Sequence, residues 1–146
     1  MTPKFVATIS QRMFRETNDC TVRAIGAAIG LDYATAHLLA SRAGRKPRRG
    51  FWVHQILHQA KQESMIRDFS VVRMSGTSPT SGTTGNYHAA CQYPTLNQSL
   101  PLLQTGRYVL STTNHSFAVV DGVVYDNFYY RPKCRIQKIF EIKLEE

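Results

Sequence analysis

Apolar residues recur at helical spacing over the first part of the chain, and this pattern predicts three helices. The first covers residues 22–29 and ends at Gly30. The second begins after a capping aspartate, runs over residues 33–39 and ends near Gly44. The third covers about residues 51–61. Asparagine, aspartate and glycine at these boundaries are typical of helix caps and helix ends.

The second half of the chain alternates apolar and polar residues with the period of two that is typical of strands. The predicted strands are RYVLSTT, HSFAVV, VVYDNF and CRIQKIFEIKL, with an earlier one in IRDFSVVRM. Residues 75–86, rich in Ser, Thr and Gly, predict a surface loop, and Thr95 caps a short helix. Helices first and strands later predict an α+β fold, with N-terminal helices packed on a C-terminal, mainly antiparallel sheet. A single domain over residues 1–146 suits this length.

One hairpin can be given a register from the sequence alone. Residues 121–122, Asp-Gly, lie between two apolar runs and predict a two-residue turn, because both positions need positive φ. That turn places His115 opposite Phe128 and diagonally beside Asp126 on the same face of the sheet. Asn127 would point to the other face. We therefore expect Asp126 to be the hydrogen-bond partner of His115.

A cysteine stands at the start of the first predicted helix, directly after Asn18 and Asp19, either of which would cap that helix. A helix N-terminus favours negative charge and lowers the pKa of a thiol, and a nearby imidazolium lowers it further. A third group that orients the imidazole completes a nucleophilic triad. Cys20, His115 and Asp126 are thus candidates for catalysis, although each alone also suits a structural role.

The segments NDCTVRAI, NHSFAVVDG and VVYDN carry a family resemblance. The chain resembles small papain-like cysteine peptidases, particularly the compact ones that process bacteriocin leaders. It is also similar to phage and bacterial proteins with the same helix start and late hairpin. The resemblance covers about the first and last thirds of the chain. It implies a papain-like fold, with Cys20 as nucleophile, His115 as general base and Asp126 as orienting acid.

One departure from this family concerns the oxyanion donor. Papain-like enzymes usually place a Gln several residues before the cysteine, whereas a phenylalanine stands six residues before it here and Gln11 stands nine before. Asn18, together with the backbone N–H of Cys20, is the alternative donor. Glu16 and Asp19 also place negative charge near the thiol, which we expect to oppose a lowered pKa.

The net charge of +8, from 18 Lys and Arg against 10 Asp and Glu, predicts attraction to an acidic protein or a nucleic acid. The candidate polyanion-binding residues share one segment, RAGRKPRRGFW, and are Arg45, Lys46, Arg48, Arg49 and Trp52. The alternative is a solvated loop between two helices, which Gly and Pro in the segment favour.

Cysteine and histidine usage predicts neither a disulfide framework nor a metal or cofactor site. The three cysteines form no CxxC pair. His54 and His58 lie four residues apart, but Gln follows the first, so the zinc-protease pattern is missing. No secretory signal or membrane-spanning run is present, and a cytoplasmic location follows, the host cytoplasm if the protein is virus-encoded.

These observations predict a thiol hydrolase that cleaves a peptide or isopeptide bond in a peptide or protein substrate. Transferase and deamidase chemistry use the same triad and remain open. The alternative is a catalytically inert papain-like protein, phage-encoded, that binds a host protein or nucleic acid through its basic surface. A structural virion component is a third reading, supported only by the resemblance to phage proteins.

Overall fold

The computed structural model describes residues 4–8, 16–72, 93–127 and 129–144. Within these ranges the chain is α+β, with four α-helices, one 3₁₀ turn and a six-stranded mixed sheet. The helices are α1 (Cys20–Ile29), α2 (Tyr33–Arg42), α3 (Val53–Gln62) and α4 (Leu96–Ser99), and the 3₁₀ turn is Leu100–Leu102. The strands are β1 (Lys4–Ala7), β2 (Asp68–Val72), β3 (Arg107–Ser111), β4 (Ser116–Val120), β5 (Val123–Asp126) and β6 (Lys138–Lys143).

The predicted helix boundaries agree with these elements except at the start of α1. Asp32 caps α2 by accepting a hydrogen bond from the Thr35 N–H at 2.7 Å, and Gly30 ends α1 with a φ of 87°. Asp19 occupies the capping position of α1, but its side chain makes no capping hydrogen bond. The prediction that Asn18 or Asp19 caps α1 through its side chain is therefore wrong, and the Asp19 carboxylate serves another purpose.

The strand order in the sheet is β1-β5-β4-β3-β6-β2. Every pairing is antiparallel except that of β1 with β5, so the prediction of a mainly antiparallel sheet is confirmed. Strand β1 was not predicted. It is four residues long and three of these residues are exposed, so it shows no clear alternation, yet it places Ala7 opposite Asp126 at the end of β5.

The β4–β5 hairpin has the predicted register. Val120 pairs with Val123, and the turn residues Asp121 and Gly122 have φ values of 49° and 79°. Asp121 also accepts a hydrogen bond from the Gly106 N–H at 2.9 Å, which ties this turn to the segment before β3. The predicted pairing with residue 128 lies outside the described residues.

The sheet separates two apolar cores. Helices α1, α2 and α3 lie on one side of it, where Ile25, Leu39 and Ile56 share a core with Val109 and Phe140 of the sheet. Gly26 of α1 lies so close to α2 that an added Cβ would come within 3.2 Å of the Ala36 Cβ. The opposite face is covered by α4, the 3₁₀ turn and the segment before β6; its core residues are Leu96, Leu100, Leu103, Leu110, Phe117, Val119 and Ile136. The sheet is thus packed on both faces, and the core that contains α1 holds this helix against it.

Two further predictions fall on residues outside the described ranges, namely the surface loop at residues 75–86 and the oxyanion role of Gln11. Cys91 also lies outside these ranges. Cys134 is a free thiol. In the described part of the chain, no helix is long and apolar enough to cross a membrane.

Candidate functional site

A cleft of about 390 Å³ lies between the N-terminus of α1 and the connection from β3 to β4. One wall comes from α1 and from the segment that leads into α3, with Cys20 and Trp52 on it. The other wall comes from residues 111–116 and from the start of β6, with His115 and Lys138 on it. The cleft therefore joins the first and last thirds of the chain and places a thiol opposite an imidazole.

The register of the β4–β5 hairpin brings His115 and Asp126 into direct contact. The His115 Nε2 lies 2.5 Å from the Asp126 Oδ1. The Asp126 side chain is 3 % exposed, and its Oδ1 also accepts a hydrogen bond from the Asn127 N–H at 2.7 Å. Because Nε2 is bound to the carboxylate, Nδ1 is the ring nitrogen that can interact with the thiol.

The main chain on both sides of this contact is held in place. The His115 carbonyl accepts a hydrogen bond from the Thr112 N–H at 2.8 Å, which closes the loop before β4. The His115 ring stacks on Phe117, with a centroid separation of 5.9 Å. On the next strand, the Asp126 carbonyl accepts from the Thr8 hydroxyl at 2.9 Å. The unpredicted strand β1 thus helps to position the carboxylate.

The pKa of the Cys20 thiol lies below its ordinary value. Burial is the largest single influence and raises this pKa, but three groups together outweigh it. They are the His115 side chain, through hydrogen bonding and through charge, the Ser116 backbone N–H and the Thr21 hydroxyl. Cys20 is also the first residue of α1, where the helix dipole favours negative charge. The site therefore stabilises a thiolate.

The pKa of His115 is raised to about 9. The hydrogen bond with Asp126 contributes most, and the hydrogen bond with Cys20 adds to it, while burial acts in the opposite direction. At neutral pH an imidazole with such a pKa is protonated. Because the imidazolium stabilises the thiolate and the thiolate stabilises the imidazolium, the two groups favour an ion pair.

Asp19 and Glu16 are the two carboxylates close to Cys20 in the sequence, and each forms an ion pair with an arginine. The Asp19 Oδ1 accepts from the Arg23 Nε at 3.1 Å, and its Oδ2 accepts from the Tyr33 hydroxyl at 2.7 Å. Burial, and then the hydrogen bond to Asp19, raise the pKa of Tyr33, so its hydroxyl remains a donor. The expectation that Asp19 opposes the lowered pKa of Cys20 thus overlooked its two partners.

Arg45 is not available to an external polyanion, which corrects the prediction for this residue. Its side chain is 2 % exposed, and its two terminal nitrogens donate to the Glu16 carboxylate at 2.9 and 3.1 Å. His37 and the Arg48 backbone N–H also bind this carboxylate, at 2.6 and 2.7 Å. The hydrogen bond from Arg45 is the largest of the effects that lower the pKa of Glu16 to about 2.

The structure does not bring Asn18 into the cleft wall. Its side-chain amide donates to the Arg48 carbonyl at 3.3 Å, on the exposed side of the segment before α1. Gln11 lies outside the described residues, so its role stays a prediction. The Cys20 N–H remains a candidate oxyanion donor, because the first N–H groups of a helix have no acceptor within that helix. Sequence reasoning did not identify the Ser116 N–H, which helps to lower the pKa of Cys20, because a backbone group leaves no pattern among the side chains.

The other candidate polyanion-binding residues are exposed, namely Lys46, Arg48, Arg49 and Trp52. The imidazoles of His54 and His58 face different neighbours. The ring of His54 lies against Trp52, and that of His58 against Phe69. In the described ranges, no group of three or more His, Cys, Asp or Glu side chains is placed to hold a metal ion.

Comparisons with protein-family models, with curated proteins and with solved structures find no match to this chain.

Proposed function

We propose that this protein is a thiol hydrolase with a papain-like fold, which cleaves a peptide or isopeptide bond through Cys20, His115 and Asp126. One observation carries the proposal. A thiol of lowered pKa at a helix N-terminus faces an imidazole whose second nitrogen is held by a buried carboxylate, and all of this lies on an open cleft. A structural cysteine requires none of these partners.

In the first half of the reaction, the Cys20 thiolate attacks the carbonyl carbon of the scissile amide and forms a tetrahedral intermediate. The Cys20 N–H, at the N-terminus of α1, stabilises the oxyanion. The His115 imidazolium gives its proton to the leaving nitrogen as the C–N bond breaks, which leaves a thioester on Cys20.

In the second half, neutral His115 takes a proton from the incoming water, and the resulting hydroxide attacks the thioester. The C–S bond then breaks, the carboxylic acid product leaves, and the thiolate–imidazolium pair is restored. Asp126 holds the ring so that the same nitrogen faces the thiol throughout. If an amine replaces water in this step, the same site performs a transferase reaction.

This proposal is tested by cleavage of a peptide mixture made from denatured, protease-digested cell protein, with new N-termini identified by mass spectrometry. Wild-type protein should generate new N-termini with a recurring residue pattern, and Cys20→Ala should generate none. A Cys134→Ala variant is the matched control, because Cys134 is a free thiol that does not line the cleft, and it should cleave as the wild type does. Equal products from the wild type and from Cys20→Ala would refute the assignment of the nucleophile.

The second candidate function is binding of an acidic protein or nucleic acid by an inert papain-like domain. The exposed cations Lys46, Arg48 and Arg49 beside the exposed Trp52 favour it. Binding that survives Cys20→Ala but is lost in a variant with these three cations changed to Gln would support this function. A steep fall in affinity with added salt would identify phosphate contacts.

A further inference from the structure

The cleft beside Cys20 has no carboxylate among its described lining residues. Its ionisable lining groups are the Cys20 thiol, the imidazoles of His54 and His115, and the Lys138 ammonium. Its remaining polar lining is uncharged, with hydroxyl and amide groups from residues 111–114 and from Gln137. A peptide that enters this cleft therefore meets positive charge that no lining carboxylate offsets.

Lys138 is the strongest source of that charge. It is the first residue of β6, it pairs in register with Ser111, and its side chain is exposed. Among the described residues no carboxylate forms an ion pair with it, whereas Lys61, another exposed lysine, pairs with Asp68 at 3.1 Å. Lys138 is therefore free to bind an anionic group of a ligand.

The opposite wall presents a large apolar surface. Trp52 is 65 % exposed, an unusual exposure for the only tryptophan of the chain, and the partly buried Phe51 lies beside it on the same wall. The Trp52 ring contacts that of His54, with a centroid separation of 6.3 Å. A flat apolar surface of this kind binds an aliphatic or aromatic side chain by burying it.

We propose that the substrate of this site is an acidic peptide segment, with a carboxylate bound at Lys138 and an apolar side chain bound against Trp52. This inference rests on the proposed function, because the thiolate requires an acyl carbon between the two walls. A peptide fits these features better than a nucleic acid does, because the exposed cations Lys46, Arg48 and Arg49 do not line the cleft, which leaves one lysine there instead of a row of phosphate contacts.

The test uses the Cys20→Ala protein, so that binding is measured without turnover. The probes are a dye-labelled peptide of alternating Glu and Phe and the same peptide with Gln in place of each Glu, compared by fluorescence anisotropy. We expect the Glu peptide to bind about threefold to tenfold more tightly. Adding Lys138→Ala should remove this preference, whereas Lys143→Ala, at the far end of the same strand, should retain it.

Trp52→Ala separates the two parts of the proposal. It should weaken both peptides about equally, by about threefold or more, and leave the ratio of their affinities unchanged. Equal affinity of the Glu and Gln peptides, or a preference that persists in Lys138→Ala, would overturn the inference. Displacement of the Glu peptide by a short oligothymidylate that binds more tightly would also overturn it, in favour of a nucleic-acid ligand.

The binding test and the hydrolysis test can fail separately. If Cys20 is unreactive in the wild type but the Glu preference depends on Lys138, the cleft recognises acidic peptides and the thiol hydrolase proposal fails. If Cys20 cleaves peptides but the Glu and Gln peptides bind equally, the hydrolase proposal stands and the substrate inference fails.

Discussion

Two histidine–carboxylate pairs in this molecule have nearly the same geometry and different surroundings. His115 lies 2.5 Å from Asp126, and His37 lies 2.6 Å from Glu16. The exposed fractions of the two histidine side chains are also alike, 15 % and 17 %. Neither distance nor burial therefore distinguishes the pair that we propose to be catalytic from the structural one.

The third partner of each pair makes the difference. The Glu16 carboxylate is fully buried and is bound by Arg45 and by the Arg48 N–H, so it joins the segment before α1 to the loop before α3. In the other pair, His115 faces the Cys20 thiol on an open cleft. The first arrangement holds two segments together, and the second is suited to moving a proton.

The largest difference between the two pairs is expected in the reactivity of Cys20. His115→Ala should slow alkylation of Cys20 by iodoacetamide about tenfold or more near pH 6, because a thiol with an ordinary pKa is mostly protonated there. His37→Ala, the matched change in the other pair, should leave the rate within about twofold. Mass spectrometry of the modified peptide measures both rates at Cys20. Equal slowing by the two substitutions would remove the distinction between the pairs.

For the free energy of unfolding we expect a large effect in the pair that contains Glu16. Glu16→Gln leaves the buried Arg45 without its counter-ion, and we expect a loss of about 3–5 kcal/mol in the free energy of unfolding. Asp68→Asn, which breaks the exposed ion pair with Lys61, should cost less than about 1 kcal/mol. Urea denaturation followed by circular dichroism measures both. A loss below about 1 kcal/mol for Glu16→Gln would show that this cluster does not hold the fold.

The pH dependence of stability separates the pairs further. The pKa of Glu16 is lowered to about 2 from an ordinary 4.5, so its contribution to stability is complete above pH 4.5 and is lost as the pH falls towards 2. The pKa of His115 is raised to about 9 from 6.5, so its contribution is complete below pH 6.5 and is lost as the pH rises through 9.

Denaturation curves from acid to alkaline pH check these signs. The stability difference between the wild type and Glu16→Gln should shrink in acid, and that between the wild type and His115→Ala should shrink in alkali. A difference that does not vary with pH would contradict the corresponding pKa shift.

The role of the carboxylate in the His115–Asp126 pair can be tested through the pKa of His115. Asp126→Asn should lower the pKa of His115 from about 9 towards 6.5, because the hydrogen bond with Asp126 contributes most to the shift. Asp121→Asn, the same change in the turn of the same hairpin, should leave it in place. NMR titration of the His115 ring measures the pKa. An unchanged value in Asp126→Asn would mean that this carboxylate does not hold the imidazolium.

The smallest expected effect concerns the link between α1 and the loop before α3. The Thr21 hydroxyl donates to the Phe51 carbonyl at 3.2 Å, and Thr21→Val should cost about 1 kcal/mol of stability. Thr113→Val removes a hydrogen bond between exposed side chains and should cost less. Thermal denaturation of the two variants ranks them, and the reverse order would contradict the account of this link.

Sequence reasoning predicted the part of the site that depends on local rules. The Asp-Gly turn fixed the register of the hairpin, and the register identified Asp126, not Asn127, as the residue beside His115. Helix periodicity over residues 22–29 predicted α1, of which Cys20 is the first residue. Local pattern was sufficient there because turn type and strand period determine which side chains share a face.

The other pair depends on contacts that local rules do not describe. Glu16 and Arg45 are 29 residues apart and belong to no repeating pattern. The sequence alone therefore suggests that Glu16 opposes the thiolate and that Arg45 binds a polyanion. Strand β1 was missed for a related reason. It pairs with β5 across more than a hundred residues, and its four residues are too few to show a period.

The most direct test of the account is the pH titration of the Cys20 thiolate by its ultraviolet absorbance, in a protein with Cys91→Ser and Cys134→Ser so that one thiol remains. The account predicts a thiolate that forms below the ordinary thiol pKa of about 8.5 and a return to that value when His115→Ala is added. A thiol that titrates at or above the ordinary value in both proteins would contradict the thiolate–imidazolium pair.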